Sequence, residues 1–253
     1  MCHAVIVLLA VSSLSLVART QTADELINKN IQAKGGIDKI KAIKSIRITE
    51  KFDGGGGFTA RASQINSRPN LVRETFSLQG MTAVQAYDGT TGWQIQPFQG
   101  HKDPELMGEN DLRDIELDAD FDGPLVDYKE KGNTVEYLNH DIVDGDDALR
   151  LKVTLKNGDI IYYYLDPDTF LEIRKEIRQT IRGSVRERIV DLGSYKPVNG
   201  VMYPFSVAQG SKSNPGSQTF TVEKMEVNVA ADPADFAVPA SLKQAPKPVA
   251  DKK

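Results

Sequence analysis

Six residues in the middle of the chain, Asp118-Ala-Asp-Phe-Asp-Gly123, place three carboxylates at alternate positions before a glycine. This spacing resembles a calcium loop between two helices, where the acids bind the ion and the glycine makes the sharp turn. Such a loop needs a bidentate carboxylate six residues after the glycine, and Lys129 occupies that position. Pro124 follows where a second helix should begin. The sequence therefore favours a helix end, with extended chain restarting at Leu125-Val126.

Other candidate catalytic groups are scattered along the chain. His101 and His140 lie in different segments, and neither has the spacing of metal ligands. Acid–base catalysis by Asp120 and Asp122 would need a pocket that separates their pKa values, and there is no Gly-x-Ser-x-Gly elbow. The glycine-rich stretch 54–57 lacks the Lys-Ser/Thr pair of a phosphate loop and joins two strands. We therefore expect no catalytic residue, metal or cofactor, and a hydrolase using Asp120, Asp122 or His101 ranks third among the hypotheses.

The first residues predict export. Ala4 to Val11 is an apolar run that small and apolar residues continue to Ala18, after which the sequence is polar. Because a membrane-spanning helix needs about 20 apolar residues, this pattern predicts a secretory signal peptide over residues 1–20, cleaved after Ala18 or Thr20. Cys2 is the only cysteine. The mature protein would then have neither a disulfide nor a thiol nucleophile.

The net charge argues against one class of partner. The chain has 31 Lys and Arg against 35 Asp and Glu, a formal net charge of −4. A negative chain is repelled by phosphate backbones, and no basic block is interleaved with aromatic residues. We therefore expect no nucleic-acid partner.

Most of the chain alternates polar and apolar residues with a period of two, which predicts β-strands. The clearest example is Ala148 to Leu155, and Asn157-Gly158 then predicts a two-residue hairpin turn with positive φ at both positions. Short turns join antiparallel neighbours only. About ten or eleven strands are expected, a number typical of a large curved or barrel-like sheet. The predicted fold class is α+β, mainly β, with one broad antiparallel sheet.

Two helices are expected beside this sheet. Thr22-Ala-Asp-Glu25 fits a capping box, and Gly35-Gly36 ends the helix that follows it. A second helix is expected between the strands, from Pro104 to Phe121, because proline suits a first helical turn. We predict one domain over residues 21–240 and a disordered, proline-rich tail over residues 241–253.

One strand departs from the alternation. Ile160 to Leu165 is apolar on both faces, so Tyr162 and Tyr164 point away from Tyr163. The second face needs a cover, and the inserted helix with the residues before it is the candidate. Either the helix packs directly on the sheet, or the two enclose an apolar cavity for an acyl chain. The residues predicted to bind a ligand in that cavity are Trp93, Phe98, Leu106, Met107, Leu112, Tyr162 and Tyr164.

Several segments carry a resemblance to a known family. They are ADELINKNIQAKGGIDKIKAIKSIR (23–47), AYDGTTGWQIQPFQG (86–100), ADFDGPLVDYKEKG (119–132), LKVTLKNGDIIYYYLDPDTFLEI (151–173), SYKPVNGVMYPFSV (194–207) and NVAADPADFAVP (228–239). These segments resemble outer-membrane lipoprotein-sorting proteins of the periplasmic lipoprotein-carrier superfamily. The resemblance covers nearly the whole chain after the signal peptide.

The resemblance implies an incomplete β-barrel whose concave side is covered by helices and holds acyl chains in transit between membranes. It implies a periplasmic monomer without catalytic residues or cofactor, which contacts a membrane-protein donor and acceptor transiently. The leading hypothesis is an exported, non-enzymatic lipid-binding protein that carries or sorts lipoproteins. An envelope sensor or scaffold that binds a protein through the same sheet is the alternative. On the leading hypothesis, the helix around 104–121 moves as a lid, and Trp93 fluorescence responds to an acyl ligand if Trp93 lines the cavity.

Overall fold

The structure is a computed structural model that describes residues 22–243. The predicted signal peptide and residues 244–253 of the predicted tail lie outside the described residues. The helices are α1 (Ala23–Ala33), α2 (Ile37–Ala42), α3 (Glu109–Ala119) and α4 (Ala240–Lys243). The strands are β1 (Ser45–Asp53), β2 (Thr59–Ser67), β3 (Leu71–Leu78), β4 (Met81–Tyr87), β5 (Gly92–Gln96), β6 (His101–Leu106), β7 (Thr134–Val143), β8 (Asp146–Thr154), β9 (Ile160–Leu165), β10 (Glu172–Ile181), β11 (Ser184–Gly193), β12 (Lys196–Val198), β13 (Val201–Tyr203), β14 (Ser206–Ser211) and β15 (Asn214–Val227).

Thirteen of these strands form one open antiparallel sheet, in the order β6-β5-β4-β3-β2-β1-β15-β14-β11-β10-β9-β8-β7. Most neighbours follow each other in the chain. The exception at the centre is β15, which pairs with β1 and places Ile46 opposite Val227. Strands β12 and β13 form a separate two-stranded ribbon. The predicted single large antiparallel sheet with helices beside it is confirmed, and no helix within residues 22–243 is long and apolar enough to cross a bilayer.

Helix α1 begins and ends as its sequence predicts. The Thr22 hydroxyl accepts a hydrogen bond from the Glu25 backbone N–H at 3.2 Å, and the Glu25 carboxylate accepts one from the Thr22 N–H at 3.1 Å. Gly35 and Gly36 end the helix with φ of 117° and 91°. A Cβ on Gly35 would lie 2.2 Å from the carbonyl oxygen of Gly200, so only glycine fits between α1 and the turn of the β12–β13 ribbon.

Helices α1 and α3 pack on the same face of the sheet, which we call the inner face. Residues opposite each other in paired strands share a face, and following the register places Tyr163 beneath α1 on the same face as Val72 beneath α3. Helix α3 packs on β3 and β4, yet its Asp114 contacts Arg186 in β11 at 2.7 Å. These strands are at least five places apart in the sheet. The sheet must therefore curve around α3, and the inner face is concave.

The inserted helix is shorter than the sequence predicts. It begins at Glu109, and the preceding His101–Leu106 forms the edge strand β6. Pro104 has no N–H to donate, but an edge strand tolerates it because one side of the strand has no partner. Leu106 therefore belongs to a strand and not to the helix.

The connection from α3 to β7 also differs from the prediction. Residues 121–132 form consecutive turns, and Leu125 and Val126 are buried in them without restarting a strand. Extended chain resumes at Thr134 in β7, which the sequence does not predict. A register shift between Tyr137 and Asn139 breaks the period of two in that strand, so the pattern that reveals the other strands is lost.

Candidate functional site on the inner face

Five phenylalanines form an aromatic cluster at one end of the inner face: Phe52, Phe58, Phe76, Phe98 and Phe220. The ring of the buried Phe52 lies edge-on to Phe58, Phe76 and Phe220 at centroid distances of 5.8, 5.1 and 5.0 Å. Phe98 contacts Phe76 at 5.9 Å. Edge-to-face pairs of this kind contribute about 0.5–1.5 kcal/mol beyond burial. Because Phe58 and Phe98 are 44% and 39% exposed, the aromatic cluster offers an apolar surface that a ligand can reach.

The inner face next to the aromatic cluster is charged. Glu50 and Glu74 lie two residues before Phe52 and Phe76 in their strands, so these carboxylates share the inner face with the rings. Acids of α3 and bases of β10 and β11 meet them across the concavity. We call this set the charged floor: Glu50, Glu74, Asp114, Asp118, Lys175 and Arg188.

Burial and mutual repulsion change the pKa values of the charged floor. Burial raises the pKa of Glu50 to about 7 and, as the largest cause, that of Glu74 to about 8. Repulsion by Asp118 and Glu50 adds to the increase at Glu74, and attraction by Arg188 opposes it. Burial also raises the pKa of Asp118 and lowers the pKa of Lys175. Near neutral pH the charged floor therefore holds fewer charges than its composition suggests.

Helix α3 crosses over the charged floor as a strap. Its apolar side contacts Val72 and Tyr87 through Leu112, Ile115 and Ala119. Its polar side reaches the strands and turns opposite through four ion pairs: Asp114 to Arg186 (2.7 Å) and to Arg188 (4.0 Å), Glu109 to Arg182 (3.2 Å) and Arg113 to Asp159 (2.9 Å). The strap thus joins the two sides of the concavity and covers its centre.

Comparison with known proteins identifies the fold. No family model matches the sequence, and no curated protein matches it either. A DUF1329 family protein from Desulfovibrio piger is 11% identical with a TM-score of 0.57, covering 86% of this chain and 98% of its own. A LolA superfamily protein from Nitrosomonas europaea is 11% identical with a TM-score of 0.57, covering 87% and 99%. A domain from Vibrio parahaemolyticus assigned to outer membrane lipoprotein-sorting proteins is 12% identical with a TM-score of 0.51, covering 83% and 97%.

The chain has a LolA-like fold. At 11–12% identity, the likeness establishes the architecture and leaves the ligand to be argued from the residues of this chain. In this LolA-like sheet the aromatic cluster, the charged floor and the strap all lie on the concave side.

Three of the seven residues predicted to bind a ligand lie on that inner side of the LolA-like sheet. Met107 and Leu112 pack with Val72 and Tyr87 beneath the strap. A Cβ on the neighbouring Gly92 would lie only 2.7 Å from the Met107 sulfur and 2.9 Å from a methyl carbon of Leu112, so the fit there is close. Phe98, the third of these residues, belongs to the aromatic cluster.

The other four predicted residues lie on the outer face. Trp93, whose register partner is the exposed Leu106, is buried beneath the C-terminal segment, and its indole N–H donates to the Phe236 carbonyl at 3.0 Å. Leu242, within the predicted tail, packs on the buried apolar residues around Trp93. Tyr162 and Tyr164 lie beside the Arg150 guanidinium, at 4.4 and 5.3 Å from the ring centroids. The structure thus distributes the seven residues over two faces, and their role in binding stays a prediction.

The sequence patterns do not identify four members of the aromatic cluster: Phe58, which lies in the β1–β2 connection, and the strand residues Phe52, Phe76 and Phe220. Their alternation with neighbouring polar residues assigns each to one face of its own strand. It does not show that β15 pairs with β1 and thereby places Phe220 opposite Phe52. The missing signal was the pairing of strands that are distant in sequence.

The position of Trp93 gives a fluorescence prediction. Because the indole is buried on the outer face, a ligand on the inner face should leave its emission maximum unchanged. Phe236→Ala, which opens the cover over the indole, should shift the emission to longer wavelength and serves as the positive control. A shift caused by a soluble fatty acid in the unmodified protein would contradict this placement.

The acids of the 118–123 stretch have separate structural partners. Asp120 is the C-cap of α3 and pairs with Lys131, whereas Asp122 pairs with Arg68. The prediction that these acids end a helix is confirmed. Within residues 22–243, no three or more His, Cys, Asp or Glu side chains are placed to hold a metal ion. His101 lies on the edge strand β6 and pairs with Glu105, whereas Asp120 and Asp122 pair with Lys131 and Arg68, so the three residues of the hydrolase hypothesis engage separate partners.

Proposed function

We propose that this chain is an exported, non-enzymatic binding protein that holds the apolar chain of a lipid or lipoprotein on the inner face. The aromatic cluster carries the proposal, because it is a solvent-accessible apolar surface inside a concave sheet. Transfer of an acyl chain from water to such a surface is favourable by about 0.8 kcal/mol per buried CH₂ group. Because the rings pack edge to face, both ring faces and ring edges are available for contact with a flexible acyl chain.

The finer form of this proposal is that the protein carries or sorts lipoproteins in the periplasm. The signal-like first 20 residues support export. The likeness to a lipoprotein-sorting domain and the resemblance of the segments quoted above support this kind of cargo. A monomer that meets a membrane-protein donor and acceptor in turn would fit such a role.

The charged floor sets the position of the apolar chain. An alkyl chain laid over Glu50 and Glu74 would remove water from these polar groups without replacing their hydrogen bonds, which is unfavourable. The chain should therefore lie along the aromatic cluster and leave the concavity at its end, beside Phe58 and Phe98. A polar head group can remain near the charged floor or in solvent.

A protein partner is the second candidate, and the charged floor favours it. Glu50 and Glu74 have neither a hydrogen bond nor an ion pair to another side chain in the part of the chain that the structure describes. A polar peptide can supply the missing partners, whereas an acyl chain cannot. An envelope sensor or scaffold would use the same concave surface in this way.

Native mass spectrometry with lipid extraction separates the two candidates. The protein is expressed with its first residues intact in a Gram-negative host and purified from the periplasm. A co-purified lipid or acylated peptide supports the lipid proposal. An unliganded mass, together with no binding of a fluorescent fatty acid, contradicts it and leaves the protein partner.

Substitutions in the aromatic cluster should weaken lipid binding. Phe98 and Phe220 contribute ring surface without occupying the centre of the cluster, so replacing both with alanine should lower the affinity for a fluorescent fatty acid by about tenfold. Tyr162→Ala on the outer face is the matched aromatic control and should bind like the unmodified protein. Equal losses in the two variants would show that binding does not involve the aromatic cluster.

A further inference from the structure

Six connections of the sheet lie at one end of the strands, which we call the rim: the β8–β9 turn and five others. In an antiparallel sheet every second turn lies at the same end. The register places there the connections β1–β2, β3–β4 and β5–β6, together with β10–β11 and β14–β15. The rim is also the end at which the aromatic cluster opens.

The rim carries exposed apolar side chains on four separate connections. Phe58, Met81 and Phe98 are exposed on the first three, and Val185 is 61% exposed beside the β10–β11 turn. Other large exposed apolar residues of the described chain are spread over α2, β6 and the edge strand β7. Phe58 and Phe98 are linked through the rings of Phe52 and Phe76, and continuous exposed apolar surface of this kind marks a contact with a partner or a membrane.

The charge of the rim has the opposite sign to that of the chain. Residues 51–61, 78–81, 96–103, 181–187 and 209–214 contain six Lys or Arg and three Asp or Glu. Four of the six bases, Lys51, Arg61, Lys102 and Lys212, are exposed and have no ion pair within the described residues. Arg182 and Arg186 are also exposed, but they pair with Glu109 and Asp114 of the strap. The β8–β9 turn at the same end adds Lys156 and Asp159, one charge of each sign. The rim therefore has a positive excess on a chain whose formal net charge is −4.

The apolar surface of the rim continues into the aromatic cluster. Phe58 contacts the buried Phe52 at 5.8 Å, and Phe98 contacts Phe76 at 5.9 Å. An acyl chain that leaves a bilayer at the rim would therefore meet the exposed rings of Phe58 and Phe98 first.

We propose that the rim docks on a lipid bilayer with anionic head groups. Apolar side chains that enter the interface and cations that meet the head groups are the two contributions that bind a protein to a membrane surface. The rim presents both, and it places the entrance of the aromatic cluster against the bilayer. This inference goes beyond ligand binding, because it states that the protein meets its lipid at a membrane surface and not only through a protein donor.

Met81 and Val185 allow a test that leaves the aromatic cluster intact. The double variant Met81→Ser/Val185→Ser should bind vesicles that contain phosphatidylglycerol at least about tenfold more weakly than the unmodified chain. Leu138→Ser/Ile142→Ser is the matched control, because those residues on β7 are 41% and 59% exposed, against 40% and 61% for the rim pair. The control should bind vesicles normally.

Co-sedimentation of the full-length chain with vesicles measures these affinities, and any contribution of residues 1–20 is common to all the variants. Vesicles of phosphatidylcholine alone should bind more weakly, and about 1 M salt should reduce binding to the anionic vesicles. The inference is overturned if the unmodified chain does not bind anionic vesicles, or if the two double variants bind equally. If the membrane inference fails in this way but the unmodified chain and the rim variant still bind fatty acid, the proposed function stands without it.

Discussion

Replacing Asp122 with alanine should destabilise the fold by about 3–5 kcal/mol, the cost of breaking a buried ion pair. The Asp122 side chain is only 5% exposed. Its two oxygens accept hydrogen bonds from the Arg68 guanidinium at 2.6 and 2.8 Å, and the Lys41 ammonium donates a further one at 2.7 Å. Without the carboxylate, Arg68 remains partly buried with an uncompensated charge. The same side chain connects the end of the strap to α2, so the loss would affect several elements.

Asp127→Ala is the matched control for this prediction. Asp127 also accepts a hydrogen bond from Lys41, but its side chain is 44% exposed, and exposed pairs contribute about 0–1 kcal/mol. Urea unfolding at neutral pH measures both variants, and Asp122→Asn, which keeps the shape of the side chain, should fall between them. Equal midpoints for Asp122→Ala and Asp127→Ala would contradict a central role for the Asp122 ion pair.

The Asp122 ion pair also makes the free energy of unfolding depend on pH in the acid range. Burial alone would raise the pKa of Asp122, but the hydrogen bonds from Arg68 and Lys41 outweigh it and hold the pKa below its ordinary value. The contribution of this carboxylate to the free energy of unfolding is therefore present above its unfolded-state pKa and is lost as the pH falls through the folded-state pKa.

Replacing Glu74 with glutamine should stabilise the protein in alkaline solution and leave it almost unchanged in acid. The folded state raises the pKa of Glu74 from 4.5 to about 8, chiefly through burial and then through repulsion by Asp118 and Glu50. The protonated form is therefore favoured in the folded state. Stability from this group is fully present below about pH 4.5 and is lost as the pH rises towards 8. Glutamine stays neutral throughout and avoids this loss.

We expect the glutamine variant to gain on the order of 3 kcal/mol over the unmodified protein between pH 5 and 9, since one pKa unit corresponds to about 1.4 kcal/mol and Glu74 keeps some contact with solvent. Urea unfolding across this range gives the difference. Glu136→Gln on β7 controls for the removal of one surface carboxylate. Direct titration of the Glu74 carboxyl by NMR checks the cause. Parallel stability curves for the Glu74 variant and the unmodified protein would contradict the raised pKa.

Local signals in the sequence predict much of the fold. The capping box of α1, the glycine stop after it and the period of two in β8 each depend on a few neighbouring residues, and the structure confirms all three. The turn at Asn157-Gly158 also forms, but only Gly158 has a positive φ, of 89°. Hydrogen bonds from the Asp159 backbone and to the Asp159 side chain hold Asn157, so the turn differs from the predicted type.

The candidate site is harder to predict, because it depends on which strands pair and which face is concave. Alternation shows that Tyr162 and Tyr163 point in opposite directions, but not which of them faces the helices. Tryptophan is a residue type that often lines cavities. Trp93, however, lies on the outer face, where the segment around Phe236, 143 residues later in the chain, covers it. The charged floor joins acids and bases from β1, β3, β10, β11 and α3, which no local pattern connects.

The pairing of β15 with β1 also determines when the complete sheet can form. Each half of the sheet is a meander of neighbouring strands, and such local pairings form early. The two halves meet where Ile46 pairs with Val227, which lies about 180 residues later. The two halves can therefore pair only after almost the whole chain has left the ribosome, and the concave inner face is incomplete until then. A product truncated before β15 would contain two meanders that are not paired with each other.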